Sequence, residues 1–253
     1  MKIKKVIFLA VSIVFIVVVG NYLVNNLYLV YSTVDSWYSV NAKTEATKAV
    51  GRNGVVVSTQ KEASKVGLQV LKDGGNAIDA AVAVGYALAV TDPCCGNLGG
   101  GGFMLVHLAD GTETFLNFRE TAPLKATADM YLDEQGNLIK DLSRDGYLAV
   151  GVPGTVKGLN YALDKYGTMP REKVINPAIK LADQGFVLQQ GDIDIFRAGK
   201  KRLLEPEVAK IFLQDDNQTY EVGDTLFQPE LAKTLGLIAQ EETDAFYQGE
   251  IAQ

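Results

Sequence analysis

Four consecutive glycines at residues 99–102 constrain the fold of this chain more than any other feature. They lie within the segment Gly-Asn-Leu-Gly-Gly-Gly-Gly-Phe at residues 96–103. Glycine loses more conformational freedom on folding than other residues, so such a run is favoured only where two stretches of backbone pass very closely. A helical pattern precedes the run and a strand pattern follows it, whereas a phosphate-binding loop has the opposite order. The run therefore predicts a tight helix-to-strand crossing in a layered fold and argues against nucleotide binding.

Local patterns predict an α+β fold with helices layered on an antiparallel sheet. Apolar periodicity and turn residues predict a buried strand at residues 54–58 and a hairpin whose strands, 103–108 and 113–118, flank Asp110-Gly111. Asn76 is placed to cap a helix that carries Asp79 in its first turn. Helical patterns cover residues 62–72, 76–90, 155–165, 171–184, 192–203 and 229–239.

The N-terminal 30 residues predict a membrane anchor. A basic flank at residues 1–5 precedes an apolar run at residues 6–24, and these 19 residues would span about 28 Å as a helix, close to the hydrocarbon thickness of a bilayer. The lysines before the run place the N-terminus in the cytoplasm. No convincing small-x-small cleavage site follows, which favours a retained anchor over the alternative of a cleaved signal peptide. We expect one transmembrane helix at residues 1–30, a tether at 31–52 and an extracytoplasmic domain, periplasmic or on the cell surface, at 53–253.

Composition and inventory exclude several classes of function. The net charge of −6 and the pI near 4.9 disfavour a nucleic-acid partner. His107 is the single histidine, no G-x-S-x-G sequence is present, and His, Asp and Glu residues do not cluster as metal ligands do. Cys94 and Cys95 are adjacent, so we expect two packed small residues and not a disulfide between them. This inventory predicts no metal site.

An ordered set of motifs resembles the gamma-glutamyltransferase (gamma-glutamyltranspeptidase) family over about residues 54–253. The motifs are Gly-Asn-Ala-Ile-Asp-Ala-Ala-Val-Ala at 75–83, the glycine segment at 96–104, Phe-Arg-Glu-Thr-Ala-Pro at 118–123, Gly-Val-Pro-Gly-Thr-Val at 151–156, Leu-Asp-Lys-Tyr-Gly-Thr-Met-Pro at 163–170 and Ala-Phe-Tyr-Gln-Gly-Glu-Ile-Ala at 245–252. The resemblance implies the layered αββα fold of N-terminal nucleophile hydrolases, incomplete in this chain.

The resemblance also implies a reaction. Family members cleave themselves, and the new N-terminal threonine of the small subunit takes the gamma-glutamyl group of glutathione and related compounds as an ester. Amino acids, peptides or water then accept that group, and the resemblance implies that the reaction needs no metal and no organic cofactor. The family's Thr-Thr-His segment is absent here, so we expect the nucleophile to lie beyond Gln253 and no catalytic residue to lie within this chain. The chain would be the N-terminal part of the large subunit, with its own small subunit as a partner.

Arg119 is the one substrate-binding residue that the sequence nominates. A guanidinium at a strand end can grip a carboxylate through two parallel hydrogen bonds, although a surface arginine paired with Glu120 fits the residues as well. The resemblance implies that Arg119 holds the α-carboxylate of the gamma-glutamyl group.

Two alternatives stay open at this point. The chain could be a non-catalytic module that binds a carboxylate or a protein partner, or part of a gamma-polyglutamate hydrolase or acylase of the same superfamily.

Overall fold

The computed structural model describes residues 49–253, and residues 53–253 form one compact unit. The predicted anchor at residues 1–30 and most of the predicted tether lie outside the described residues. Within the described range, no helix combines the length and the apolar character that crossing a membrane requires.

Two consecutive helices form the centre of the core. Helix α1 spans Lys61–Lys72 and helix α2 spans Ala77–Thr91, and the two pack against each other. Asn76 caps α2 as predicted, because its side chain accepts from the backbone N–H groups of Ile78 and Asp79 while the Asp79 carboxylate accepts from the N–H of Asn76. Helix α2 is buried around most of its circumference, in agreement with its almost uninterrupted apolar sequence.

The predicted hairpin is confirmed. Strand β1, Phe103–His107, pairs antiparallel with strand β2, Glu113–Asn117, in a register that places Leu105 opposite Phe115. Gly111 adopts a φ of 86° in the turn, and the Asp110 carboxylate accepts from the N–H of Thr112. The hairpin is one of the two two-stranded sheets of the described chain.

Most of the second half is helical, as predicted. The remaining helices are α3 Thr155–Tyr166, α4 Arg171–Gln184, α5 Gln190–Leu203, α6 Pro206–Phe212 and α7 Pro229–Tyr247. Strands β3, Phe186–Val187, and β4, Thr225–Leu226, form the second small sheet. Helix α4 packs on α2 and α7, and α3 packs on α2 and contacts β2. A helical layer on an antiparallel hairpin confirms the α+β class.

The strand predicted at residues 54–58 was wrong, and the prediction of helices was incomplete. Residues 54–58 are irregular, with Val55 and Val57 exposed, because no described strand lies alongside to supply the hydrogen bonds that a strand requires. Helix α6 was not predicted, and α7 continues beyond residue 239 through a kink at Glu242.

Candidate functional site

Arg119 lies directly after β2, with its side chain 61% exposed. Its backbone N–H donates to Asn117 Oδ1 over 3.1 Å, and its Nε donates to Glu120 Oε2 over 2.9 Å. The centre of the guanidinium lies 5.8 Å from the centroid of the Phe103 ring. Both Nη groups bond to no acceptor within the described part of the chain. Glu120 thus neutralises the charge of Arg119 only in part, and the outer edge of the guanidinium is open to a ligand.

The glycine run presses against the backbone of Arg119. A Cβ atom on Gly101 would lie 2.5 Å from the carbonyl oxygen of Phe118 and 2.9 Å from the Cα of Arg119. Gly102 and Phe118 exchange two backbone hydrogen bonds of 3.2 and 3.0 Å, which extends the hairpin ladder by one pair. The carbonyl oxygen of Gly100 accepts from the N–H groups of Gly154 and Thr155. The predicted tight crossing is therefore confirmed, and it fixes the backbone from which Arg119 projects.

A cavity of about 720 Å³ opens beside Arg119, between the end of β2, α3 and the end of α7. Lys157 on α3 adds a second cation to its lining, and Asp244 on α7 adds an anion. Cations suit carboxylate groups and the anion suits an ammonium group, so the lining fits a small zwitterion such as an amino acid. The sequence does not single out Lys157 or Asp244, because only the packing of α7 on α3 brings them to one cavity.

One tyrosine ties two walls of this cavity together. The hydroxyl of Tyr247 donates to the carbonyl oxygen of Pro153 over 2.8 Å and accepts from the N–H of Lys157 over 3.3 Å. Burial raises the pKa of Tyr247, which keeps the hydroxyl protonated as a donor. The motifs at residues 151–156 and 245–252 therefore meet in space, and their contact shapes the cavity.

Two other motifs meet at the buried carboxylate of Asp79. It accepts from the N–H groups of Thr168 and Met169 and from the Thr168 hydroxyl, at 2.6 to 3.1 Å. Asn76 adds a hydrogen bond of 2.7 Å from its side chain to the carbonyl oxygen of Tyr166. Asp79 lies among backbone donors and not in the cavity, so the motifs at residues 75–83 and 163–170 position the helices.

The histidine and the cysteines lie outside the cavity. His107 is exposed on β1 and contacts Glu113 over 3.1 Å, and no serine among the described residues pairs with it. Contrary to expectation, Cys94 and Cys95 form a disulfide with each other. The turn that follows α2 brings the two sulfurs together, a local conformation that the sequence pattern does not reveal. Asp92, Cys94 and Cys95 are the one close group of possible metal ligands in the described chain, but bonded sulfurs offer no thiolates.

Known proteins that are similar to this chain belong to the family that its motifs resemble. A family model described as Gamma-glutamyltranspeptidase matches residues 63–253. The chain is 56% identical over 217 residues to "Glutathione hydrolase proenzyme" of Pseudomonas sp. (strain A14), covering 85% of this chain and 37% of that protein. It is 50% identical to the Escherichia coli (strain K12) protein of the same name, covering 80% and 35%.

A solved structure agrees with these sequence matches. The crystal structure of Helicobacter pylori gamma-glutamyltranspeptidase superposes with a TM-score of 0.79 at 47% identity, covering 81% of this chain and 59% of that one. The chain spans about a third of the length of the curated relatives it matches. On the matched residues and the shared fold, this chain belongs to the gamma-glutamyltranspeptidase family.

Proposed function

We propose that this chain forms the N-terminal part of the large subunit of an enzyme that cleaves the gamma-glutamyl amide bond of glutathione and related compounds. Family membership and relatives named glutathione hydrolase proenzyme support the class of reaction. The observation that carries the proposal is the position of Arg119, which is fixed at its backbone, exposed at its guanidinium and adjacent to a cavity of about 720 Å³.

Arg119 binds the α-carboxylate of the gamma-glutamyl donor in this proposal. Glu120 occupies only Nε, and no other acceptor in residues 49–253 binds the two Nη groups, so they can donate two hydrogen bonds to the two oxygens of a carboxylate. The Asn117 side chain and the glycine run hold the backbone at this point. The hydrogen bond from Nε to Glu120 and the Phe103 ring orient the guanidinium itself, which reduces the freedom it loses on binding.

In this proposal the nucleophile is the N-terminal threonine of the small subunit. A threonine hydroxyl attacks the gamma-carbonyl carbon, the amine leaves with a proton, and the resulting ester is then attacked by water or by the amino group of an acceptor. No metal or organic cofactor is required by that sequence of steps. The residues of this chain bind and orient the donor.

The small subunit covers the exposed face of the hairpin in this proposal. Phe103 and Phe115 stack at 5.6 Å between ring centroids, and both are more than half exposed, while Leu105 is 84% exposed. An apolar sheet face of this kind favours burial against another layer. A second layer supplied by the small subunit would complete the αββα arrangement.

Arg119→Lys in the full-length protein tests the substrate-binding role. Lysine keeps the charge but loses the fork, and the lost charge-assisted hydrogen bond of about 1.5–3 kcal/mol raises the KM for gamma-glutamyl donors about ten- to a hundredfold. Self-cleavage is expected to proceed, because it does not involve the substrate carboxylate. Arg197→Lys, at an exposed position on α5, is the matched control. An equal donor KM for both variants and wild type would contradict the role.

The alternatives give different results in the same assay. A purified full-length protein that binds gamma-glutamyl compounds but releases no product would be a non-catalytic carboxylate-binding module. Preferential turnover of gamma-linked polyglutamate or of other acyl amides over glutathione would indicate a hydrolase or acylase of the same superfamily. In either case a donor without its α-carboxylate loses affinity only if Arg119 binds that group.

We infer further, from the sequence, that residues 1–30 anchor the protein in a membrane with residues 53–253 on the extracytoplasmic side. The basic flank and the apolar run at residues 6–24 support this proposal. Fractionation of cells that express the full-length protein should recover it with the membranes. A soluble protein whose mature N-terminus follows Gly20 would identify the segment as a cleaved signal.

A further inference from the structure

We propose that Cys94 and Cys95 form a thiol-exchange site whose redox state alters donor binding at Arg119. The pair is exposed, and its sulfurs are joined by a disulfide. Low-molecular-weight thiols are the reactants that fit it. The coupling to donor binding rests on the function proposed above, whereas the exchange chemistry does not.

The disulfide lies in a fixed environment centred on Asp92. Asp92 is buried, its Oδ2 accepts from the Thr59 hydroxyl over 2.7 Å, and its carbonyl oxygen accepts from the N–H groups of Cys95 and Gly96 over 3.0 and 2.7 Å. Its second carboxylate oxygen, Oδ1, lies 3.3 Å from Cys94 Sγ. A disulfide sulfur carries no proton, so this contact becomes a hydrogen bond only when Cys94 is a thiol.

The geometry assigns different roles to the two sulfurs. Asp92 Oδ1 lies 3.3 Å from Cys94 Sγ, and a carboxylate oxygen of Asp92 lies within 4.8 Å of Cys95 Sγ. The carboxylate therefore repels an incoming thiolate RS⁻ more strongly at Cys94 than at Cys95, and attack at Cys95 Sγ is favoured. Attack forms an S–S bond between R and Cys95 and breaks the Cys94–Cys95 bond, and the electron pair leaves on Cys94 Sγ. That sulfur takes a proton and donates to Asp92 Oδ1. A second RS⁻ then attacks the sulfur of R in the mixed disulfide, which releases RSSR and leaves the electron pair on Cys95 Sγ. The Cys95 thiolate takes a proton from water, as Cys94 did, and two cysteine thiols result.

The same segment continues directly into the backbone contact at Arg119. Only residues 96–100 separate the cysteine pair from Gly101, which would clash with Arg119 if it carried a Cβ. Gly100 is held by the N–H groups of Gly154 and Thr155, at the edge of the cavity. Opening the disulfide frees the backbone of two residues at the start of this closely packed loop. We therefore expect the position of Arg119 to respond to the redox state.

Alkylation followed by mass spectrometry tests the exchange without any assay of activity. The full-length protein, isolated without reductant, is incubated natively with reduced glutathione, quenched with acid, unfolded and treated with N-ethylmaleimide. We expect no label before incubation and two labels after it. Two free thiols in the isolated protein would overturn the proposal, and so would a disulfide that reacts only after unfolding.

Two single variants test the assigned roles. Cys94→Ser leaves the Cys95 thiol within 4.8 Å of an Asp92 carboxylate oxygen but without a hydrogen bond to it. Cys95→Ser leaves the Cys94 thiol in hydrogen-bond contact with Asp92 Oδ1. Incubated with glutathione disulfide, Cys94→Ser should form its mixed disulfide about tenfold faster, since the thiolate is the reactive species. Equal rates would contradict the role of Asp92.

Donor kinetics test the coupling. Dithiothreitol serves as the reductant and a gamma-glutamyl anilide as the donor, so that the reductant is not itself a gamma-glutamyl compound. Wild type should change its donor KM about fivefold between the two redox states, and Cys94→Ser/Cys95→Ser should not respond. An identical KM in both states of an active wild-type enzyme would overturn the coupling. An inactive enzyme that still exchanges its thiols would contradict the proposed function and leave the exchange site supported.

Discussion

Arg171 and Glu242 form an ion pair at the point where helix α7 kinks. Arg171 Nη1 lies 2.8 Å from Glu242 Oε1, and the guanidinium also pairs with Asp164 on α3. Glu242 has a φ of 64° and a ψ of −142°, a region of backbone space that glycine adopts and side chains strongly disfavour. The residues after the kink, Thr243 to Gln248, include four that line the cavity beside Arg119. The backbone at Glu242 is thus strained at a position that shapes the site.

Glu242→Gly should stabilise the protein relative to Glu242→Ala. Both variants lose the ion pair with Arg171, but only glycine relieves the backbone, which we expect to be worth about 1–2 kcal/mol. In an ordinary helical position the order would be reversed, because alanine is the better helix former. Urea unfolding at neutral pH measures the difference. An alanine variant as stable as the glycine variant would contradict the strain at this residue.

Glu242→Ala alone should destabilise the protein modestly. The Glu242 side chain is 63% exposed, so the ion pair itself contributes about 0–1 kcal/mol. Arg171 is only 12% exposed, and its Nε has no hydrogen-bond partner among the described residues. Asp164 remains as a counter-ion. A loss above about 3 kcal/mol, the range of a disrupted buried pair, would show that the pair is more deeply buried in the full protein.

Asp79→Asn should destabilise the fold and flatten its dependence on pH. Burial raises the pKa of Asp79, but hydrogen bonds from the Thr168 hydroxyl and from the N–H groups of Asn76, Thr168 and Met169 outweigh it and lower the pKa below its ordinary value. The folded state therefore stabilises the charged form. That stabilisation is complete above the unfolded pKa of about 3.9 and is lost as the pH falls through the lower folded value.

The pH dependence gives Asp79→Asn a specific signature. The amide of asparagine has an NH₂ group in place of one carboxylate oxygen, so one accepting atom is lost and a donor faces the backbone N–H groups. This change should lower the free energy of unfolding by roughly 2–4 kcal/mol at pH 7. The difference from wild type should shrink as unfolding is measured at lower pH, through pH 4 and below. Asp183→Asn, at an exposed position on α4, is the control. A difference that stays constant from pH 7 to pH 3 would contradict the charged state of Asp79.

The sequence predicted those elements whose signals are local. Asn76 and Asp79 mark the start of α2 by capping chemistry, and Asp110-Gly111 marks the hairpin turn, so both were confirmed. The kink at Glu242 was not predictable, since glutamate favours helix and only packing against Arg171 reveals the strained conformation. The strand expected at residues 54–58 depends on a pairing partner, which a single segment does not specify.

In the candidate site, too, residues with a local sequence signal were predictable and residues brought together by packing were not. Arg119 follows from its motif, and the glycine run indicated a close backbone contact without saying what it contacts. Lys157 and Asp244 join the cavity through the packing of helices that are far apart in sequence. The prediction that Cys94 and Cys95 do not form a disulfide was wrong. The general geometry of disulfides disfavours bonds between neighbouring cysteines, but this particular turn permits one.

Gly101→Ala should disturb donor binding, whereas Gly99→Ala in the same loop should not. A Cβ atom at Gly101 would lie within 2.5–2.9 Å of three backbone atoms in residues 118–120, so the strand end that carries Arg119 must shift. Backbone cannot rotate away as a side chain can, and overpacking of this kind costs about 1–3 kcal/mol. At Gly99 a Cβ meets nothing within 4 Å, so alanine fits there.

Donor KM and stability, measured together on the full-length protein, separate the two effects of Gly101→Ala. The displaced guanidinium should raise the KM for gamma-glutamyl donors about tenfold, by analogy with the loss of one charge-assisted hydrogen bond. A donor without its α-carboxylate should show the same KM with Gly101→Ala as with wild type, because it makes no bond to Arg119 that the shift could weaken. If Gly101→Ala lowers stability but leaves the KM of both donors at the values of Gly99→Ala, the glycine run serves only to let the chain cross, and it has no part in placing Arg119.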